Sequence, residues 1–347
     1  MGEFDLIERY FKRPERLSAR ADWVKLGIGD DCAVLQPRAG TQLAISTDML
    51  VQGRHFFADV EPAALGHKAL AVNLSDLAAC AAQPIAFTLA LALPEVNEPW
   101  LAAFSQGLFA LADVHGCELI GGDTTRGPLN ICITVFGELP IVDGQPQVLL
   151  RSGAKVGDDI YVSGSLGEAR LALEVLRGNL SVSDDALASL RQRLERPTPR
   201  VALGLALRGI ATSAIDVSDG LLGDLGHILK RSNVGASLEV QAFDTMQLIA
   251  GRTISFKING QADPEISRDH ELRLQNTLMG YVLAGGDDYE LAFTAPPTAR
   301  AKVQSAARAA HTSVVRIGRI ESDPGLRLLD ATGATVPNDW RSFDHFG

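Results

Sequence analysis

The chain has 347 residues, 46% hydrophobic and 21% charged, which suits roughly two folded domains of ~100–200 residues rather than a disordered chain. Its formal charge of −10 argues against a nucleic-acid partner, which would meet a basic stripe. The N-terminus is acidic and the most apolar run, residues 85–93, is far too short for a membrane span, so a soluble cytoplasmic protein with no membrane partner is expected.

Phe4, Ile7 and Phe11, set among Glu3, Asp5 and Glu8, predict an amphipathic N-terminal helix. Residues 43–46 form a short apolar strand leading into Thr47-Asp48. Pro62 opens a long helix, and Leu65, Ala69 and Val72 mark a face that continues to Asp76. At Ser75-Asp76 two readings stand: the cap of a second helix running through Leu77 and Ala82, or a carboxylate committed to a cation. Pro84 ends the helical stretch, residues 85–93 follow as a strand, and residues 100–114 form a helix with Leu101, Phe104, Leu108 and Leu111 on one side. Strands at 117–120 and 129–136 bracket Gly121-Gly122-Asp123-Thr124-Thr125-Arg126-Gly127. A turn-rich stretch at 142–147 precedes Arg151-Ser152-Gly153, and the domain boundary is placed there, giving domains of residues 1–150 and 151–347.

The second half opens with a strand at 160–163, a tight turn through Gly164 and Gly167, and a helix reaching Leu176. Residues 183–196 form a polar helix and residues 213–217 a strand. Ser218 is expected to cap a helix over 219–230, which gathers Asp216, Ser218 and Asp219 at a helix N-terminus whose dipole favours phosphate. Residues 243–278 are polar and poorly periodic, and Lys257-Ile258-Asn259-Gly260 reads as a hairpin turn. A strand at 289–294 and an alanine-rich helix at 298–310 follow. Cys32, Cys80, Cys117 and Cys132 have no zinc-type spacing and are expected as reduced core thiols.

One pattern recurs along the chain: aspartate at the end of an apolar run, beside glycine or a small hydroxyl residue. It appears at Asp30-Asp31, Ser46-Thr47-Asp48, Ser75-Asp76, Gly122-Asp123, Asp216-Val217-Ser218-Asp219 and Gly286-Asp287-Asp288. Aspartate is a poor strand former, and carboxylates collected in one cleft raise one another's pKa unless cations join them. Oxygen-only donors suit Mg2+, which usually holds a substrate phosphate as well, so a magnesium-dependent phosphate-handling site is expected. No Gly-x-x-x-x-Gly-Lys phosphate loop, kinase His-Arg-Asp loop, Gly-x-Ser-x-Gly elbow or His-Glu-x-x-His helix is present.

These motifs, taken in order, resemble the thiamine-monophosphate kinase family, of the superfamily of aminoimidazole ribonucleotide synthetase and selenophosphate synthetase. The markers are Gly27-Ile28-Gly29-Asp30-Asp31-Cys32, Ser46-Thr47-Asp48, Gly53-Arg54-His55-Phe56 and Ala71-Val72-Asn73-Leu74-Ser75-Asp76. They continue with Gly121-Gly122-Asp123-Thr124-Thr125, Arg151-Ser152-Gly153-Ala154-Lys155, Asp216-Val217-Ser218-Asp219-Gly220 and Gly285-Gly286-Asp287-Asp288-Tyr289. The resemblance implies transfer of phosphate from ATP to thiamine monophosphate. It also implies an N-terminal α/β domain whose sheet pairs with its twin in a homodimer, and a C-terminal α+β domain closing the cleft.

Carried over by motif, Asp31, Asp48, Asp76, Asp123, Asp216 and Asp219 are implied magnesium ligands, with Ser46, Thr47 and Asp30 as further oxygen donors. Gly122, Asp123, Arg151 and Ser218 are implied contacts to ATP, and His55, Asp287 and Phe343 to thiamine phosphate, with Trp340 the alternative aromatic. Asp48, Asp76, Asp123 and Arg151 are the implied catalytic set. Two features depart from the family pattern. Asp287 stands where glutamate is usual, and residues 243–280 look longer than needed, as a surface insertion would. A related ATP-dependent synthetase, a magnesium-dependent phosphatase and a non-catalytic thiamine-phosphate sensor are the competing readings.

Overall fold

The computed structural model describes residues 2–13, 23–243, 255–258, 261–262 and 268–343. The chain divides into two compact units, Met1–Val148 and Leu149–Gly347. Among the described residues no helix is long and apolar enough to cross a membrane.

The first unit runs α1 (Glu3–Tyr10), β1 (Val24–Leu26), β2 (Val34–Leu35), β3 (Thr41–Val51), α2 (Pro62–Ala79), β4 (Gln83–Leu93), α3 (Glu98–His115), β5 (Glu118–Arg126), β6 (Asn130–Val142) and β7 (Gln145–Pro146). Its main sheet has the order β3-β6-β4-β5, with β7 added to β6. The β4–β5 pair is parallel and the β3–β6 and β6–β4 pairs antiparallel. Period-two alternation buries Ile131, Ile133 and Val135 on one side of β6. Helix α2 lies against β3, β4 and β6, and is buried along nearly its whole length, so its alanines and leucines face protein on most sides. On β3, Ile45 and Met49 project from the side opposite Ser46 and remain 60% and 52% exposed.

Several sequence expectations change here. Helix α2 runs unbroken through Ser75 and Asp76 to Ala79, so neither residue caps a second helix. Pro84 is a buried residue of β4, placed at a register shift in its pairing with β6 where a missing N–H is tolerated. The Gly121-Gly122-Asp123 segment belongs to β5 rather than to a turn, because pairing with β4 outweighs its weak strand propensity. Of the cysteines, all of them free, only Cys117 is buried; Cys32 is exposed.

The second unit runs β8 (Asp159–Ser163), α4 (Glu168–Leu176), β9 (Leu180–Ser181), α5 (Asp184–Glu195), α6 (Val201–Ala206), β10 (Ser213–Val217), α7 (Leu221–Ser232) and β11 (Gly235–Glu239). It continues with β12 (Ser255–Ile258), β13 (Gln261–Ala262), α8 (Arg268–Ala284), β14 (Glu290–Ala295), α9 (Arg300–Ala309), β15 (Val314–Glu321), β16 (Gly325–Leu329) and β17 (Thr335–Val336). The large sheet has the order β10-β14-β8-β15-β11-β16-β17. Its core joins Ile160, Val162, Ile215 and Val217 from strands to Leu225 and Ile228 of α7 and Leu278 and Leu283 of α8.

The α8 contribution corrects the surface-insertion reading for part of residues 243–280. Leu278 is fully buried, and burying a leucine contributes about 1.5–3 kcal/mol. Strands β12 and β13 pair through Ile258 and Gln261, while Asn259 and Gly260, the expected turn, lie outside the described residues. Elsewhere in the sheet Asp159 is buried and accepts two N–H groups from Arg300 (2.6 and 2.8 Å) and one from Arg316 (2.7 Å). The Arg300 hydrogen bonds, with help from Arg316 and against the effect of burial, hold its carboxyl below the usual range.

Candidate active site

Strand β3 sorts its side chains by alternation, and Asp48 sits inside the strand, not at its end as expected. The Ser46 hydroxyl donates to Asp76 Oδ2, tying β3 to the last turn of α2. The Asp48 backbone N–H donates to Asn73 Oδ1 (3.0 Å), and Asn73 Nδ2 donates to the Ala69 carbonyl (3.0 Å). Asn73 and Asp76 lie three residues apart on α2, so one helix face meets the strand at both points. A carboxylate in the last helical turn opposes the helix dipole, a cost that a nearby cation would offset. Thr47 faces the other way, its Oγ1 2.8 Å from Thr134 Oγ1.

The remaining predicted residues of this unit are dispersed. Asp30 and Asp31 are exposed in the turn between β1 and β2. Asp123 is exposed on β5 and registers with Ala90, which pairs with Cys132, which pairs with Met49. Three strand spacings of about 4.8 Å therefore separate it from β3. Gly122 has φ +146°, and a Cβ there would lie 1.8 Å from the Leu89 carbonyl oxygen, so close strand contact already requires this glycine. Just after β3, His55 Nδ1 accepts the Val51 N–H (2.9 Å), which leaves Nε2 to carry the ring proton.

In the second unit the predicted residues converge. Asp216, 6% exposed, is the penultimate residue of β10, and residues 218–220 link that strand to α7. Ser218 is not the cap: α7 starts at Leu221 after Gly220, without a side-chain cap bond. Instead, the backbone N–H groups of Ser218, Asp219 and Gly220 all donate to Asp224 Oδ2, at 3.0, 3.1 and 3.1 Å. Burial, then the charge of Asp219, push the Asp224 carboxyl up to about 7, against the pull of these three donors.

The carbonyls of the same stretch are also engaged. Val217 accepts from the Tyr289 N–H (2.9 Å), Ser218 from Asp287 (2.8 Å) and Asp219 from Phe343 (3.0 Å). Ser342 Oγ accepts the Gly223 N–H (2.8 Å) at the start of α7. Asp216, Ser218, Asp219, Asp287 and Phe343 thus sit around one knot of backbone hydrogen bonds. Close approach shapes it: a Cβ on Gly286, whose φ is +72°, would stand 2.7 Å from the Ser218 carbonyl oxygen. Asp287 and Tyr289 hold φ of +61° and +51°, conformations that cost on the order of 1–3 kcal/mol each and that gather at functional sites.

Behind the knot, buried Asp288 accepts the Gly167 N–H with both oxygens (3.0 Å each), which makes the Gly164–Gly167 region a structural turn. Burial raises the Asp288 carboxyl well above its ordinary value, partly opposed by that N–H and by Arg193. Arg151 does not join the knot within this unit. Its carbonyl accepts from Ser232 Oγ at the far end of α7, a helix of 12 residues and so about 18 Å long.

Both groups offer only carboxylate and hydroxyl oxygens, a hard donor set that fits Mg2+. Among the described residues no three His, Cys, Asp or Glu side chains come together as a group that could hold a metal ion. Sequence reasoning gave no role to Asn73, Asp224 or Ser342. For Asp224 a signal existed, an acid near the start of the helix expected over 219–230; for Asn73 and Ser342, whose partners lie far off in sequence, there was none.

Residues 29–139 match the N-terminal domain of the AIR synthase related proteins, and residues 155–331 the C-terminal domain. The thiamine-monophosphate kinase of Salmonella typhimurium is 47% identical over 347 residues, covering 99% of this chain and 98% of that protein. The chain belongs to the thiamine-monophosphate kinase family. The crystal structure of the thiamine-monophosphate kinase from Stenotrophomonas maltophilia K279a is 44% identical, with a TM-score of 0.76 over 92% of this chain and 95% of that one. A second solved relative, AaThiL complexed with AMPPCP and TMP, is 26% identical, with a TM-score of 0.69 over 90% and 89%. The two family domains of this thiamine-monophosphate kinase family member fall one in each compact unit.

Proposed function

We propose that the protein transfers the γ-phosphoryl group of ATP to thiamine monophosphate, yielding ADP and thiamine diphosphate. Family membership supports this reading, and the knot of the second unit is the observation that carries it. There an acid and an exposed aromatic, Asp287 and Phe343, stand beside the oxygen donors Asp216 and Asp219. This is the pairing needed by a substrate with a cationic heteroaromatic end and a phosphate end.

We assign Asp48, Asp76, Asp123, Asp216 and Asp219, with Asp31, Asp30 and Ser46, to holding several Mg2+ ions; Thr47, on the other side of β3, is left out of that set. When bound, these ions supply charge neutralisation between two mutually repelling phosphates. Arg151 offers a planar, permanently charged donor to the ATP phosphates. Gly122 and the Ser218 hydroxyl are each assigned to ATP as well. His55 donates its Nε2 proton to the acceptor phosphate. That phosphate has a second pKa near ~6 and is largely dianionic at pH 7, so no general base is required and transfer is direct. A reaction of this kind, with ATP as co-substrate, belongs in the cytoplasm.

We further assign the outer apolar side of β3, with Ile45 and Met49, to a homodimer contact. Ile45→Glu should shift the mass measured by light scattering from dimer towards monomer. The activity itself is tested by ADP release with thiamine monophosphate, thiamine and aminoimidazole ribonucleotide precursors offered separately. Turnover with thiamine monophosphate alone is expected. Turnover only with a precursor would favour a related synthetase, and phosphate release without acceptor a phosphatase.

A further inference from the structure

We infer that Asp224 is a positioning residue that turns the 218–220 loop into a cation-facing element, an inference resting on the assignment of Asp219 to Mg2+. The start of a helix normally presents unpaired N–H groups and a positive dipole end, the arrangement that binds phosphate. Here the three N–H groups just before the helix, which would extend that arrangement, are taken by the chain's own carboxylate. Asp224, 4% exposed, reaches back from the first turn of α7, and a single oxygen takes three consecutive N–H groups.

An ordinary capping side chain precedes its helix and satisfies donors inside it. Asp224 does the reverse: it lies inside the helix and satisfies donors that precede it. The Ser218 and Asp219 carbonyls are engaged in turn by Asp287 and Phe343. The loop backbone is therefore committed on both sides, and whatever the loop binds, it binds through side chains. These are the Ser218 hydroxyl and the carboxylates of Asp216 and Asp219, which are groups for a cation and not for an anion. Phosphate then meets this loop through a cation and the Ser218 hydroxyl, never through its amides. Asp224 itself touches neither; it fixes the direction in which Asp219 is presented.

Mn2+ serves as the probe, titrated into the full-length protein with a non-hydrolysable ATP analogue and followed by the paramagnetic resonance of free Mn2+. Asp224→Ala should weaken Mn2+ binding by about 10- to 100-fold, the usual cost of losing a group that orients a metal ligand. Asp224→Asn, whose Oδ1 still accepts, should recover most of that loss. Inorganic phosphate should inhibit Asp224→Ala at concentrations that leave the wild type untouched, because three amides are released. A folded Asp224→Ala with lowered Tm but unchanged Mn2+ affinity and phosphate sensitivity would reduce Asp224 to a structural residue and overturn the inference. Should the alanine variant not fold, Asp224→Glu keeps the charge but displaces the loop by one methylene, and its Mn2+ affinity must fall as well. Asp219→Asn separates the two claims. If it leaves Mn2+ binding intact, the cation assignment itself fails; if it weakens binding while Asp224→Ala does not, only the positioning role fails.

Discussion

The two acidic regions are held in opposite ways. In the first unit Ser46, Asp48 and Asp76 stand on a regular strand and a buried helix, joined by side-chain bonds to Asp76 and Asn73. In the second, Asp216 to Asp219 stand where a strand gives way to a loop, and that loop is fixed by backbone bonds to residues 287, 289 and 343 and by Asp224. A carboxylate on regular secondary structure can be altered without disturbing its support. A carboxylate on a knotted loop shares its support with every residue in the knot. The first region should therefore separate chemistry from stability, and the second should couple them.

Asp48→Asn gives the largest expected effect. It keeps shape and the strand hydrogen bonds while removing one charge, so kcat should fall by about 10²–10³-fold or more with Tm little changed. Near-normal turnover of the folded variant at saturating Mg2+ would remove Asp48 from the mechanism. Gly286→Ala probes the other side. Its methyl group would meet the Ser218 carbonyl at a positive φ, so denaturant unfolding should show a loss exceeding the ~1 kcal/mol typical of such a backbone mismatch, together with lower activity. Stability lost with full activity per folded molecule would break the claimed coupling.

His55→Ala should act on one substrate. KM for thiamine monophosphate should rise by about 10-fold, as for a lost charge-assisted hydrogen bond, while KM for ATP changes little. The reverse pattern would reassign His55 to ATP. The smallest effect is expected at Asp159, a carboxylate held by arginines and serving as a control outside both acidic regions. Its pKa is lowered in the folded state, so its contribution is present above the unfolded value of about 3.9 and is lost as pH falls through the lower folded value. The stability gap between wild type and Asp159→Asn should thus be constant near neutrality and close below about pH 4, with turnover at pH 7 unaffected.

How much of this could be read from the residues follows the same division. Strand β10 appears where its apolar run predicted it, because Ile215 and Val217 are strand formers bounded by turn residues. Strand β5 runs further than its sequence suggests because Gly121, Gly122 and Asp123 carry turn signals, and only pairing with β4 makes them extended. Helix α8 was invisible because its sequence, with Asn276, Thr277 and Gly280, has no sustained apolar period, although Leu278 and Leu283 reach the core. At the site, the motifs located the acids but not what holds them. Ser218 looked like a cap because a hydroxyl residue before a helix usually is one; the long-range partners Asp287 and Phe343 leave no local trace.

One event underlies every assignment above, the movement of a phosphoryl group from ATP to thiamine monophosphate with the help of Mg2+. Phosphorus NMR of a reaction mixture follows every phosphate in it at once. Thiamine diphosphate and ADP should grow in equal amounts, without inorganic phosphate, and a Mg2+ chelator should stop both. Accumulation of inorganic phosphate in place of thiamine diphosphate, or transfer that proceeds unchanged in the chelator, would contradict this mechanism.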